Sequence, residues 1–140
     1  MGIQRLFYIH SEVMASHNQL GQEGEKAIFE FLLAKGWIIR EQNWRMGKLE
    51  LDLVVEDPVN RVLHIVEVKT RSSIEQFNPM DSITPKKQRN LINAANGYVN
   101  FYRLQMGVVF DVAIVEGQPG AFKIHYIPNA FYPRVRTFAR

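Results

Sequence analysis

The sequence predicts an α/β domain in which helices flank a mixed central sheet. Three observations predict it: a helical pattern of apolar residues near the start, three strand patterns after it, and a second helical pattern followed by one or two strands. The 140 residues suit one domain. We expect that domain at residues 19–128, between a loose arm at 1–18 and a basic aromatic tail at 129–140.

The first helix is predicted at about residues 19–35. Apolar side chains recur there at helical spacings and share one face: Leu20, Ala27, Ile28, Phe31 and Leu32. Asn18 is a suitable N-cap, and Gly36 is suited to end the helix after Lys35.

Three strands are predicted next, at residues 37–43, 49–56 and 61–70. Alternating leucines and acidic residues in the second strand place Asp52 on the face opposite Leu51 and Leu53. The Asp-Pro-Val-Asn sequence at 57–60 has the composition of a turn, so the second and third strands are expected to form a hairpin.

A second helix is predicted at about 85–103, with Thr84 as its cap and Pro85 at its first position. Gly97 lies inside this helix, where glycine costs up to about 1 kcal/mol relative to alanine. Strands at 108–115 and 122–127 follow, which completes the order αβββαβ with an extra C-terminal strand.

Composition and charge narrow the possible functions. Cysteine is absent, which excludes disulfide scaffolds, thiolate metal sites and cysteine nucleophiles. No stretch approaches the roughly 20 apolar residues of a membrane-spanning helix, so we expect a cytoplasmic protein without a membrane partner. Residues 1–70 carry a net charge of −2 and residues 71–140 a net charge of +5, which indicates a polyanionic partner such as nucleic acid.

Acidic residues on the second and third strands are the candidate reactive groups. The hairpin brings either Asp52 or Glu50 close to Glu67, and Lys69 shares a sheet face with Glu67. Carboxylate ligands without thiolates favour Mg²⁺ or Mn²⁺. Lys69 would then stabilise developing charge. The alternative is that Glu67 and Lys69 form an exposed charge ladder on a half-solvated sheet.

Several short motifs occur in a characteristic order across residues 20–115. They are Gly21-Gln-Glu-Gly24-Glu25-Lys-Ala27, Asn43-Trp44-Arg45, Glu50-Leu51-Asp52-Leu53, Glu67-Val68-Lys69-Thr70-Arg71, Lys87-Gln88 and Phe110-Asp111-Val112. With these motifs the chain resembles the YraN-like family of the restriction-endonuclease-like PD-(D/E)xK superfamily. One departure is Leu49, where the family usually has glycine.

The resemblance implies a restriction-endonuclease-like core and a Mg²⁺-dependent endonuclease that hydrolyses DNA, including branched or repair intermediates. It implies Asp52 and Glu67 as metal ligands, Lys69 as the catalytic lysine and Glu25 as an acidic residue reaching in from the first helix. Gln88 is implied to contact the site or substrate. The alternative is an inactive nucleic-acid-binding or protein-interaction module on the same fold.

Basic residues around this site are candidates for DNA contacts. Together with Gln88, the expected nucleic-acid-binding residues are Arg45, Arg71, Lys86, Lys87 and Arg89. The tail interleaves aromatic residues with arginines, a pattern that suits DNA, a second subunit of a homodimer, or an edge of the sheet. Asp111 is expected to pair with a basic residue, cap a helix or act as a ligand, and His64 is expected to be structural.

Overall fold

The structure, a computed structural model, describes residues 19–133. Helix α1 covers residues 19–34 of this range. The elements that follow are β1 (Ile38–Met46), β2 (Leu49–Asp57), β3 (Val62–Arg71), α2 (Pro85–Tyr102), β4 (Gly107–Glu116) and β5 (Lys123–Phe131), with a 3₁₀ turn at Pro79–Ser82 before α2. The predicted α/β class and the order of its elements are confirmed.

The five strands form one mixed sheet in the order β1-β2-β3-β4-β5. β3 and β4 are parallel, and every other neighbouring pair is antiparallel. Parallel neighbours need a crossover connection, which α2 supplies. Because α2 follows β3 in the chain, its first turn returns past the end of β3 that carries Glu67 and Lys69.

Each face of the sheet is covered by one helix. On one face the buried residues of α2 pack on the strands; they are Leu91, Ala94, Ala95 and Tyr98. On the other face Ile28 and Leu32 of α1 pack on Leu53, Val66 and Ala113. The domain therefore has three layers, helix, sheet and helix, with two separate apolar cores.

Two helical glycines allow close approach to the sheet. A Cβ on Gly24 would collide with the side chain of Thr70, and a Cβ on Gly97 would collide with the thioether of Met46. Gly24 thus sets α1 directly against the end of β3. The helical cost of Gly97 is offset by the packing of β1 against α2 that its missing side chain permits.

β1 and β5 extend three and four residues beyond their predicted C-terminal ends. β1 continues to Met46 and connects to β2 through Gly47, which has a φ of 61°. β5 continues through Pro128 to Phe131, because proline is tolerated on an edge strand, where its missing N–H is not needed. The first residues of the expected tail therefore belong to the sheet.

The remaining terminal segments, the arm at 1–18 and the tail residues 134–140, lie outside the described residues. Between those limits, no helix combines the length and the hydropathy needed to cross a membrane.

Candidate functional site

The register of the β2–β3 hairpin determines which acid lies near Glu67. The paired residues run from Asp57 and Val62 to Leu53 and Val66. Asp52 and Glu67 are the next residues on their strands, so this register sets them opposite each other. Glu50 instead lies 3.7 Å from Arg45 in an exposed ion pair. Of the two acids that the sequence left open, the structure places Asp52 at the site.

Asp52 lies where the regular hairpin ladder ends. Its Oδ2 atom accepts a hydrogen bond of 2.9 Å from the backbone N–H of Val68. The expected common face for Leu51 and Leu53 is wrong, because Leu51 packs in the α2 core and Leu53 in the α1 core. The alternation breaks beside Asn43, whose φ of 52° interrupts the extended geometry of β1.

Glu67 is a buried carboxylate between two lysines. Its side chain is 5% exposed, and its Oε1 atom lies 3.5 Å from Lys69 Nζ and 3.2 Å from Lys87 Nζ. Lys69 comes from the same strand, as predicted from alternation. Lys87 comes from the first turn of α2 and was expected from the sequence only as a DNA contact. The sequence signal for its position is the Thr84-Pro85 helix start that follows β3.

The surroundings of Asp52 disfavour the charged form of its carboxyl group. Burial, followed by repulsion from Glu67 and then from Glu25, raises the pKa of Asp52 to about 7. The hydrogen bond from Val68 and the charge of Lys87 oppose this rise. A carboxylate with a pKa this high is costly to ionise in the folded protein, and a nearby cation would reduce that cost.

The donor set is small and consists of oxygen atoms. Within residues 19–133, no three His, Asp or Glu side chains lie close enough together to hold a metal ion by themselves. Asp52 and Glu67 would therefore contribute two carboxylates and leave the other coordination positions to water. Mg²⁺ binds proteins in this way, since it retains several waters and commonly uses one or two carboxylates. These two residues fit a hard divalent cation.

A cleft opens beside this centre at the end of β3. It has a volume of about 350 Å³ and is lined by Leu20, Gly21, Glu25, Val68, Lys69, Thr70 and Arg71. Glu25 lines this cleft from α1, and its charge contributes to the raised pKa of Asp52. The close contact of Gly24 with Thr70 holds α1, and with it Glu25, against the end of β3 that lines the cleft.

The predicted DNA-binding residues occupy different positions. Arg71 lines the cleft, and its guanidinium lies 4.8 Å from the ring centre of Phe77. Gln88 donates a hydrogen bond of 3.1 Å to the Ile83 carbonyl, so its amide secures the start of α2. Lys86 and Arg89 are exposed on the first turns of that helix, and Arg45 is exposed on β1.

A second polar cluster lies on the α1 side of the sheet. The buried carboxylate of Asp111 contacts His64 Nδ1 at 2.7 Å, accepts the hydroxyl of Tyr126 and accepts the Asn129 N–H at 2.9 Å. Trp37 stacks on His64 with ring centres 4.0 Å apart. Burial raises the pKa of Tyr126, so its phenol stays protonated and donates to Asp111. Asp111 therefore pairs with His64, one of the three roles the sequence left open.

Comparison with known proteins identifies the family. The model of "Uncharacterised protein family UPF0102" matches residues 24–115, a range that contains Glu25, Asp52, Glu67 and Lys87. A UPF0102 protein of Bacteroides fragilis is 43% identical over 120 residues, which cover 86% of this chain and 98% of that relative. A UPF0102 protein of Flavobacterium psychrophilum is 42% identical over 119 residues, which cover 85% and 98%. The chain therefore belongs to the uncharacterised protein family UPF0102, the YraN-like family that its sequence motifs resemble.

Proposed function

We propose that this protein is a divalent-metal-dependent endonuclease of the PD-(D/E)xK superfamily that hydrolyses phosphodiester bonds in DNA. One observation carries the proposal: Asp52 and Glu67 directly follow the last pair of the hairpin ladder, Leu53 and Val66, and the Lys69 ammonium contacts the Glu67 carboxylate. Burial together with repulsion from neighbouring acids raises the pKa of Asp52 to about 7, and a carboxyl group perturbed in this way is typical of functional sites.

Asp52 and Glu67 would hold Mg²⁺ or Mn²⁺, which fits their oxygen donors and the absence of cysteine. When bound, such a cation polarises a phosphoryl oxygen and lowers the pKa of a coordinated water. The backbone N–H of Val68 holds the Asp52 carboxylate in a fixed orientation. The second carboxylate is fixed by burial and by its contacts with the two lysines.

Lys69 would supply positive charge to the chemistry from the side of the cleft. Its side chain is 24% exposed, contacts Glu67 and lines the cleft. Asp52 and Glu67 are not among the residues that line the cleft, but a phosphodiester in it would meet Lys69, whose ammonium contacts Glu67. A preorganised cation in that position stabilises the charge that develops on phosphoryl oxygens. Arg71, which also lines the cleft, is placed to contact a neighbouring phosphate.

DNA is the proposed partner because residues 71–140 carry a net positive charge and include the first turn of α2. Lys86 and Arg89 are exposed there and available to phosphates. Arg45 is exposed on the edge strand β1, where it pairs with Glu50, and would contact DNA separately from the turn of α2. A cytoplasmic location and a homodimer stay predictions from the sequence.

A panel of linear, flap and four-way-junction DNA with Mg²⁺ and Mn²⁺ tests the proposal. We expect the wild type to cleave at least one substrate and Glu67→Gln to cleave none. Glu50→Gln is the matched control, because Glu50 is an exposed acid two residues from Asp52 and pairs with Arg45. Equal cleavage by wild type and Glu67→Gln would rule out the proposed catalytic site.

One observation favours a second candidate, a DNA-binding module without turnover. Glu67 contacts two lysines, so its charge is already neutralised by the protein's own residues. In such a module Glu67 would order α2 against the sheet, and the basic turn of α2 would hold DNA. Calorimetric titration with Mn²⁺ separates the two candidates, since the module has no need for a metal that depends on Glu67.

A further inference from the structure

Two lysines contact one oxygen of Glu67, but they come from different elements. Lys69 lies two residues along the same strand, whereas Lys87 reaches across from α2. The Lys87 side chain is 38% exposed and its Nζ is the nearer of the two, at 3.2 Å. Lys87 therefore links the solvent-facing start of a helix to a carboxylate that is buried in the sheet.

The other basic residues of this helical turn lack such a link. Lys86 and Arg89 are exposed, and across residues 19–133 neither forms an ion pair. A lysine near a helix N-terminus is unfavourable against the helix dipole. Glu67 offsets that cost for Lys87 alone among the three.

Glu67 is also a proposed metal ligand, so an ammonium and a divalent cation compete for the same negative charge. Lysine is a compact point charge on a flexible four-carbon stem and needs little rearrangement to exchange one anion for another. Its stem emerges from the basic turn of α2, where DNA phosphates are proposed to bind. The Lys87 ammonium is thus positioned between two anionic partners.

We propose, building on the function proposed above, that Lys87 occupies the cation position on Glu67 in the metal-free protein and transfers to a DNA phosphate when metal binds. A phosphate that takes Lys87 leaves Glu67 free for metal, and a metal on Glu67 leaves Lys87 free for phosphate. Metal and DNA therefore bind with positive and reciprocal coupling. Lys87 acts as a positioning residue that keeps the metal site weak until DNA arrives.

Mn²⁺ titration by calorimetry tests the proposal without any cleavage reaction. Without DNA, we expect Lys87→Met to bind Mn²⁺ about tenfold more tightly than wild type, because a charge in contact with a ligand carboxylate is removed. Lys87→Arg keeps the charge and should match wild type. Lys86→Met is the matched control on the same turn and should also match wild type. Thermal unfolding establishes that each variant is folded.

A second titration includes a phosphorothioate duplex, which retains its charges and resists cleavage. The duplex should tighten Mn²⁺ binding to wild type, whereas Lys87→Met should show little further gain. Equal Mn²⁺ affinity of wild type and Lys87→Met, or equal tightening of both by the duplex, overturns the role of Lys87 and leaves the endonuclease proposal standing. If Glu67→Gln binds Mn²⁺ as tightly as wild type, both the role of Lys87 and the endonuclease proposal are overturned.

Discussion

Asp52 accepts a hydrogen bond from the backbone N–H of Val68, the residue between Glu67 and Lys69. Backbone N–H groups move less than side chains, so this bond fixes the Asp52 carboxylate relative to both neighbours of Val68. This hydrogen bond lies directly beyond the regular hairpin ladder, whose last pair is Leu53 and Val66. The geometry of the proposed site is therefore built into the end of a hairpin.

The raised pKa of Asp52 predicts how stability depends on pH in metal-free buffer. Folding raises this pKa from 3.8 to about 7, so the folded state holds the proton more tightly than the unfolded state. The resulting stabilisation is fully present below pH 3.8 and is lost as the pH rises through 7. Asp52→Asn keeps the shape and the acceptor for Val68 but carries no charge. We expect its Tm at pH 8 to exceed that of wild type, on the order of 5 °C.

Thermal unfolding at pH 4 and pH 8 in the presence of a chelator measures this effect. Near pH 4 the difference between Asp52→Asn and wild type should almost vanish, since Asp52 is then protonated in the folded protein. A variant that is less stable than wild type at pH 8 contradicts the assignment of a costly charge to Asp52.

Mn²⁺ binding is predicted to need both carboxylates. Asp52→Asn and Glu67→Gln should each weaken Mn²⁺ binding by at least about tenfold, because each removes one of the two proposed protein ligands. The change should appear in calorimetric titrations without DNA. Glu50→Gln should bind like wild type, since Glu50 is engaged with Arg45. Similar losses in all three variants would indicate a general charge effect instead of ligation.

DNA binding is predicted to depend on salt through the first turn of α2. Replacing Lys86 and Arg89 by alanine should lower the slope of log affinity against log salt by about 2, since each phosphate contact contributes roughly 0.9. Fluorescence anisotropy at several salt concentrations gives this slope. Lys123→Ala on β5 is an exposed control that should leave it unchanged. An unchanged slope in the double variant would place the DNA surface elsewhere.

The close approach of α1 to β3 predicts an energetic coupling between Gly24 and Thr70. Gly24→Ala introduces a Cβ that collides with Thr70, and overpacking of this kind commonly costs about 1–3 kcal/mol. The loss should shrink when Thr70→Ala removes the colliding atoms. Chemical denaturation of the two single variants and the double variant gives the coupling energy. Strictly additive losses would contradict the packing that places Glu25 at the cleft.

The order of the elements could be predicted because helical and strand periodicities are local properties of the sequence. The register of the hairpin could not be predicted in the same way, because the register depends on where the turn lies. The turn lies one residue later than expected, with Arg61 at a φ of 55°, and this shift puts Asp52 opposite Glu67. A period-two pattern alone leaves such a shift open.

Contacts between residues that are far apart in the sequence were the hardest to predict. His64 and Asp111 are 47 residues apart, and they meet only because β3 and β4 are parallel neighbours. The contact between Lys87 and Glu67 likewise depends on the crossover that brings α2 back to the end of β3. The proximity of Asp52, Glu67 and Lys69 could be predicted because one hairpin contains all three.

Single-turnover cleavage by Lys69→Ala tests the catalytic claim most directly. The Lys69 ammonium contacts the Glu67 carboxylate, and Lys69 lines the cleft. Its charge should therefore stabilise the transition state more than it strengthens the binding of DNA. On whichever DNA the wild type cleaves, we expect Lys69→Ala to be slower by about 10²–10³ while it binds DNA normally and binds Mn²⁺ at least as tightly as wild type. Lys69→Gln, which keeps much of the length but no charge, should be nearly as slow. Cleavage by Lys69→Ala at the wild-type rate, or a wild type that cleaves no substrate with either metal, would contradict the account.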